Sequence, residues 1–266
     1  MMPGMERPEQ DVALPPTIAK AWGVDGPRAR GPRPALSLER VVEAAIEVAR
    51  SEGIAAVSMA RVAAALGVSA MGLYRYVSGK NELLTLMVDR AWGLPPSLDA
   101  QGGGDGTDGD GWRPRLALWA RALHRAASAD SWALAVPITS APATPYQVAW
   151  MDACFAALEP TGLTHPERAS VLLLVSGYVR NQVALSASLM AAAMTDPEAL
   201  ALMRDYSRIL ARVADPARFP ALAAAVAAGA FDDPEGTQEG GELDDEFTFG
   251  LDRILDGIEV LVTARA

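Results

Sequence analysis

The sequence predicts an all-α protein, with a three-helix helix-turn-helix domain at the N-terminus and a larger helical domain after it. Three observations carry that prediction. From Ser37 onward, apolar residues recur at three- and four-residue intervals. Residues that cap helix N-termini, such as Ser37, Ser58, Ser69, Thr164 and Asp196, stand at the heads of these runs. No convincing run of period-two alternation occurs in the 266 residues. Half of the residues are apolar, enough to bury a substantial core.

The elements follow in order. Residues 1–35 hold Pro, Gly and Arg with no sustained period and read as a mobile arm. Ser37 caps a helix on which Leu38, Val41, Val42, Ala45, Ile46, Val48 and Ala49 form one face, ended by Gly53. Ser58 caps a short helix through Leu66, and Gly67-Val68 turns the chain. Ser69 caps a third helix to about Tyr76, and a fourth runs from about Gly79 to Trp92. These occupy 36–93. Residues 94–111 contain two prolines and the run GGGDGTDGDG, which reads as a linker. A calcium loop opening at Asp105 needs Glu at its twelfth position and has Leu116.

The second domain is expected over 112–266. A helix over 112–127 carries Leu116, Trp119, Ala120 and Leu123 on one stripe, and Pro145 opens another to about Leu158. Thr164 and Glu167 make a capping box at the head of a helix of about 28 residues. Asp196-Pro197 starts a helix to about Ala214, and a shorter one fits 216–228. Residues 229–246 read as an acidic loop. The last helix, 247–262, has Phe249, Ile254, Ile258 and Leu261 on a repeated stripe.

Composition narrows the function. The longest apolar stretch, 171–194, is broken by Arg180, Asn181 and Gln182, leaving each side short of the roughly 20 residues of a membrane span. The N-terminus lacks the basic start and apolar run of a signal peptide, so a soluble, cytoplasmic protein is expected. A single cysteine, Cys154, excludes a disulfide framework and a Cys-based zinc site. The two histidines, His124 and His165, stand far apart, and no metal or cofactor is expected. No nucleophile–base pair and no phosphate-cradling loop after a strand points to an enzyme.

The net charge of -10 hides an asymmetry. Residues 1–93 carry 11 Lys and Arg against 10 Asp and Glu, whereas 94–266 carry 12 against 23. Between Ile54 and Lys80 there are three cations (Arg61, Arg75, Lys80) and no acid. A local positive surface is what a phosphate backbone requires. Helix, short helix, turn, short helix is an arrangement that lays its last helix in a major groove. Leu73 and Val77 can anchor that helix, leaving Ala70, Met71, Gly72, Arg75 and Tyr76 on its other faces. Arg75 can reach guanine or a phosphate, Tyr74 and Tyr76 offer hydroxyls, and Lys80 sits at a helix start that favours anions. Arg28, Arg30 and Arg33 of the arm can reach DNA as basic arms do, or belong to a solvated tail. The same three-helix pattern also occurs in bundles that bind no DNA.

The run Val62-Ala63-Ala64-Ala65-Leu66-Gly67-Val68-Ser69, with Leu73-Tyr74-Arg75-Tyr76-Val77 and Gly79-Lys80-Asn81-Glu82-Leu83-Leu84, resembles the DNA-binding domain of the TetR/AcrR family of bacterial regulators over about 37–92. The C-terminal part resembles the family's ligand-binding and dimerisation domain more loosely, chiefly through 249–259. The resemblance implies Ser58 and Arg61 near phosphates. It puts Ala70, Met71, Gly72 and Arg75 toward bases, with Ser69 at the head of the reading helix. Tyr74, Tyr76 and Lys80 fall on the DNA backbone. Ala70 and Gly72 replace polar side chains found in some relatives, which shifts the expected specificity toward thymine methyls and DNA shape.

The resemblance also implies a homodimer paired through long helices at about 166–193 and 246–264, and an effector held among the helices of the second domain. Val171, Leu174, Val175, Tyr178 and Leu185 form a stripe that suits either pairing or packing within one subunit. Trp119, Leu123, Trp150, Met151, Phe155 and Tyr178 suit a cavity lining or plain core. Arg180, Asn181 and Gln182, polar within an apolar helix, need partners: an effector, the dimer mate or an acid such as Asp152. The expected function is a homodimeric one-component regulator, read as a repressor, that binds an inverted-repeat DNA operator and is released by a small molecule. The alternative is an α-helical small-molecule-binding or interaction protein whose DNA head is vestigial.

Overall fold

The computed structural model describes residues 13–24, 36–98, 111–232 and 245–265. Arg28, Arg30 and Arg33, most of the glycine-rich linker and most of the acidic loop lie outside the described residues. Among the described residues the chain forms helices and turns and no strand. The first helices are α1 (Pro16–Ala21), α2 (Leu38–Glu52), α3 (Met59–Leu66), α4 (Ala70–Leu73), α5 (Lys80–Trp92), α6 (Trp112–Ala129) and α7 (Pro145–Ala157). After them come α8 (His165–Thr195), α9 (Pro197–Arg204), α10 (Tyr206–Val213), α11 (Pro220–Ala227) and α12 (Asp245–Thr263).

The chain divides into two compact units, one of residues 1–100 and 132–157 and the other of 101–131 and 158–266. In the first, α2 presents Val41, Val42, Ala45, Ile46, Val48 and Ala49 to a core completed by Val62, Leu73, Val77, Leu83 and Met87. Burying each of these larger side chains is worth about 1.5–3 kcal/mol. The serine caps form as expected: Ser37, Ser58 and Ser69 hydroxyl oxygens accept the amides of Arg40, Arg61 and Gly72. Each such cap contributes about 1 kcal/mol.

This unit departs from the sequence reading in two ways. Residues 16–21, expected in a mobile arm, form α1, with Ala19 buried. The helix is too short to show a period. It is held by contacts distant in sequence: Trp22 Nε1 donates to the Ala143 carbonyl (2.8 Å), and Lys20 Nζ pairs with Glu82 Oε1 (2.5 Å). Secondly, 132–157 was expected in a domain beginning at 112 but packs with the first unit. The buried Asp89 carboxylate of α5 accepts the Tyr146 and Gln147 amides (2.9 and 3.2 Å) at the head of α7. Trp150 Nε1 donates to the Gly93 carbonyl (3.0 Å). Neither partner is marked in local sequence.

In the second unit α6, α8 and α12 pack together. Leu116, Trp119, Ala120 and Leu123 of α6 are buried, with Val171, Val175, Val179 and Val183 of α8. The buried face of α8 is thus a four-residue ladder of valines, and Leu174 and Leu185, expected on the stripe, are about half exposed. On α12 the buried stripe is Phe247, Leu251, Leu255 and Ile258; of the expected stripe Ile258 lies on it, Ile254 is half-buried, and Phe249 and Leu261 are exposed. Apolar residues lie on two faces of that helix, and Phe247 decides between them by stacking against Tyr178 and packing on His124. The Thr164–Glu167 capping box forms, the Thr164 amide donating to Glu167 Oε2 (2.8 Å). The single helix expected over 197–214 breaks at Asp205 into α9 and α10.

Candidate nucleic-acid interface and effector groove

The head of the first unit is set by one left-handed residue. Gly67 ends α3 at φ +67°, and the Val68 amide returns to the Ala63 carbonyl (3.0 Å). The chain then enters α4 at Ser69. Only Ala70–Leu73 is regular helix, although the Val77 amide still bonds to the Leu73 carbonyl (3.0 Å) one turn on. Leu73 and Val77 are fully buried and tie the element, which packs on α3, into the core shared with α2 and α5.

The side chains between these anchors point away from the core. Met71 is 77% exposed, Tyr74 is 51% exposed, and Arg75 and Lys80 are exposed. Ser58 and Ser69 are exposed at their helix starts, while Ala70 and Gly72 are half-buried. A Cβ added at Gly72 would meet only the Ser69 hydroxyl, at 3.6 Å, so folding does not require glycine there. Two expected contact residues already have partners. Arg61 Nε donates to both Glu52 oxygens (3.0 Å each), which holds the Glu52 carboxyl below its usual range and the Arg61 guanidinium above it. The Tyr76 hydroxyl donates to the Leu36 carbonyl (2.9 Å), so toward DNA it keeps only acceptor capacity.

The expected effector residues are divided between the two units. Trp150, Met151 and Phe155 belong to the first unit, and Trp119, Leu123, Tyr178, Arg180 and Asn181 to the second. Trp119 and Leu123 are core, Asn181 is exposed, and Arg180 is half-buried, with desolvation drawing its guanidinium below the usual value. The second unit has instead an open groove of about 490 Å³, lined by residues of α6, α8 and the start of α12, including His124, Ser128, Gln182, Leu189, Met190 and Phe247. None of the eight expected residues lines it. Tyr178 stands directly behind: its ring stacks on Phe247 with centroids 5.5 Å apart. Its hydroxyl donates to the Phe247 carbonyl (3.0 Å) and accepts from Gln182 Nε2 (3.0 Å). His124 and Gln182 lie 58 positions apart, so only the polar break in α8 hinted at this groove. Among the described residues no group of three His, Cys, Asp or Glu is placed to hold a metal ion, and no helix is long and apolar enough to cross a membrane.

Comparison with known proteins gives the lineage. The family description "Bacterial regulatory proteins, tetR family" matches residues 41–87, and "Tetracyclin repressor-like, C-terminal domain" matches 105–262. The chain is 37% identical over 253 residues to the HTH-type transcriptional repressor DrrR1 of Streptomyces coeruleorubidus, covering 94% of this chain and 87% of that one. An HTH-type transcriptional regulator of Saccharopolyspora erythraea is 29% identical over 154 residues, 57% of this chain and 61% of the other. Among solved structures, apo ActR of Streptomyces coelicolor superposes with a TM-score of 0.68 at 22% identity, covering 90% of this chain and all of that one. ActR in complex with actinorhodin gives 0.66 at 22% identity over 85% and 98%. These structural likenesses speak for the fold. Together with the matched domains they place the chain in the TetR family of helix-turn-helix transcriptional regulators.

Proposed function

We propose that this regulator is a homodimeric repressor that reads an inverted-repeat operator and lets go of it when a small molecule occupies the second unit. The observation that carries the reading is the α3–α4 head. Buried Leu73 and Val77 anchor a surface of Met71, Tyr74, Arg75 and Lys80 that serves no core. Arg75 is assigned to a base edge or phosphate, Met71 with Ala70 and Gly72 to thymine methyls and groove shape, and Ser58, Ser69, Tyr74 and Lys80 to the backbone. Arg61 and Tyr76 act there through the groups they already hold.

Support for a repressor comes from the likeness to DrrR1, itself a transcriptional repressor. Support for a dimer comes from exposed apolar side chains on both long helices, Leu174 and Leu189 on α8 and Phe249 and Val260 on α12. Two heads one helical turn apart then read two half-sites. The groove with His124, Gln182 and Phe247 is assigned to the effector, replacing the scattered residues expected from sequence, and ActR, of the same fold, binds small molecules. Occupancy favours a dimer form that cannot span both half-sites, by as much as the effector's affinities for the two forms differ.

Selection of random duplex DNA on the full-length protein tests the reading. An enriched inverted repeat is expected, with binding weakened by Arg75→Ala and by Lys80→Ala, the latter with a salt slope shallower by about one. Undiminished affinity in both variants would remove the assignment.

A further inference from the structure

The first turn of α5 contains a conflict of charge that a residue far away in sequence resolves. Glu82, the third residue of that helix, is only 6% exposed. Its Oε2 accepts the Ser78 amide (2.6 Å) and the Ser78 hydroxyl, and its Oε1 faces Lys20 Nζ at 2.5 Å. A carboxylate there satisfies backbone donors and suits the helix dipole. It also sets a buried negative charge two residues from Lys80, at the helix end assigned above to an operator phosphate. Two anions at one helix start repel, and the buried one is poorly screened by salt.

Lys20 supplies the missing cation. It lies on α1, which the Trp22 bond to Ala143 and the buried Ala19 fix in place, so its ammonium reaches Glu82 from an ordered element. We propose that Lys20 is a positioning residue for operator binding: it neutralises Glu82, so that the start of α5, with Lys80, accepts a DNA phosphate. The bonding around Glu82 agrees. Burial by itself would raise its carboxyl, yet Lys20 and Ser78 together hold it below the usual range, so the charge to be offset is present at neutral pH. The proposal rests on the DNA-face reading of Lys80.

The test compares full-length variants binding the duplex recovered by selection, across a salt series. Lys20→Met is expected to bind about five- to tenfold more weakly, the size of one uncompensated like charge near a phosphate. Lys20→Arg should bind close to the parent. Glu82→Gln added to Lys20→Met should restore most of the affinity, because the amide oxygen still accepts from Ser78 while the repelling charge is gone. Rescue by Glu82→Gln separates charge compensation from plain structural support, and melting curves of each variant check that the head stays folded. Two outcomes overturn the proposal alone: Lys80→Ala binds weakly while Lys20→Met binds as the parent, or Lys20→Met is weak and Glu82→Gln does not rescue it. If Lys80→Ala itself binds as the parent, the DNA-face reading fails, and the proposal with it.

Discussion

Replacing Gly250 with alanine should destabilise the second unit, although the usual rule for a glycine inside a helix predicts the opposite. Gly250 sits in the first two turns of α12, where an exchange for alanine ordinarily gains about 1 kcal/mol. A Cβ there, however, would lie 2.2 Å from the Tyr178 Oη, 2.7 Å from Cζ and 3.0 Å from Cε2. Those contacts are not tolerated, so the ring must leave. Its departure forfeits the stack on Phe247, about 0.5–1.5 kcal/mol. It also breaks the relay from Gln182 through the Tyr178 hydroxyl to the Phe247 carbonyl, two hydrogen bonds each worth about 0.5–1.5 kcal/mol net. Set against the propensity gain of about 1 kcal/mol, the net loss is about 2 kcal/mol, within a range of roughly 0.5–3.5 kcal/mol. Urea unfolding followed by far-UV circular dichroism reads this directly. The decisive comparison is Gly250→Ala in a Tyr178→Ala background, where the clash is gone and the substitution should stabilise. A Gly250→Ala protein as stable as the parent, or the same sign in both backgrounds, would refute the claim that Tyr178 is held over α12.

Asp89 gives a pH-dependent case. Burial pushes its carboxyl up, and the Tyr146 and Gln147 amides offset this only in part. With the folded-state pKa raised, protonation favours the fold, and that contribution is lost as pH rises through the raised value. Asp89→Asn should therefore match or exceed the parent at neutral pH and lose its advantage on acidification, while Asp89→Ala, which uncaps α7, should cost about 1–3 kcal/mol at every pH, all read by melting temperature across a pH series. Cys154 is fully buried and its thiol is pushed up to about 12, so an aromatic disulfide reagent at neutral pH should leave it unmodified until denaturant is added. Gly72→Ala should leave the melting temperature unchanged or slightly raised yet alter operator affinity, since its Cβ has room in the free protein but would occupy space next to DNA.

Local chemistry made the head of the protein readable. Ser58, Gly67 and Ser69 each act on their own few residues, and the spacing of Leu73 and Val77 is a one-helix pattern. The elements that escaped depend on partners remote in sequence. Nothing in the six residues of α1 announces a helix, because Glu82 and Ala143 hold it. The attachment of 132–157 to the first unit turns on Asp89 and Gly93, each more than fifty residues from its partner. The aromatic residues expected around an effector carry a signal for burial as well, and burial is where Trp119, Leu123 and Trp150 went. On α12, two apolar faces competed and only the packing of Phe247 chose between them.

The two candidate sites differ in how much of the fold they hold up, and that difference bears on how each can change. Met71, Tyr74, Arg75 and Lys80 stand outside the core, and Gly72 is not required by its surroundings, so under the proposed reading operator specificity can be altered at these positions at little cost to stability. Gln182 and Phe247 line the groove and are also bound to Tyr178, whose ring in turn requires Gly250. A substitution that reshapes the groove through either residue therefore disturbs the packing of α8 on α12, the two helices whose exposed faces are assigned to the dimer. Under the proposed mechanism that linkage is useful: a molecule pressing on Phe247 or Gln182 acts on the helices that set the spacing of the two heads. Variants selected for a new operator should then keep the parental melting temperature. Variants selected for a new effector should carry compensating changes at Tyr178 or Gly250, and repeated recovery of groove variants without them would argue that Tyr178 is incidental to the groove.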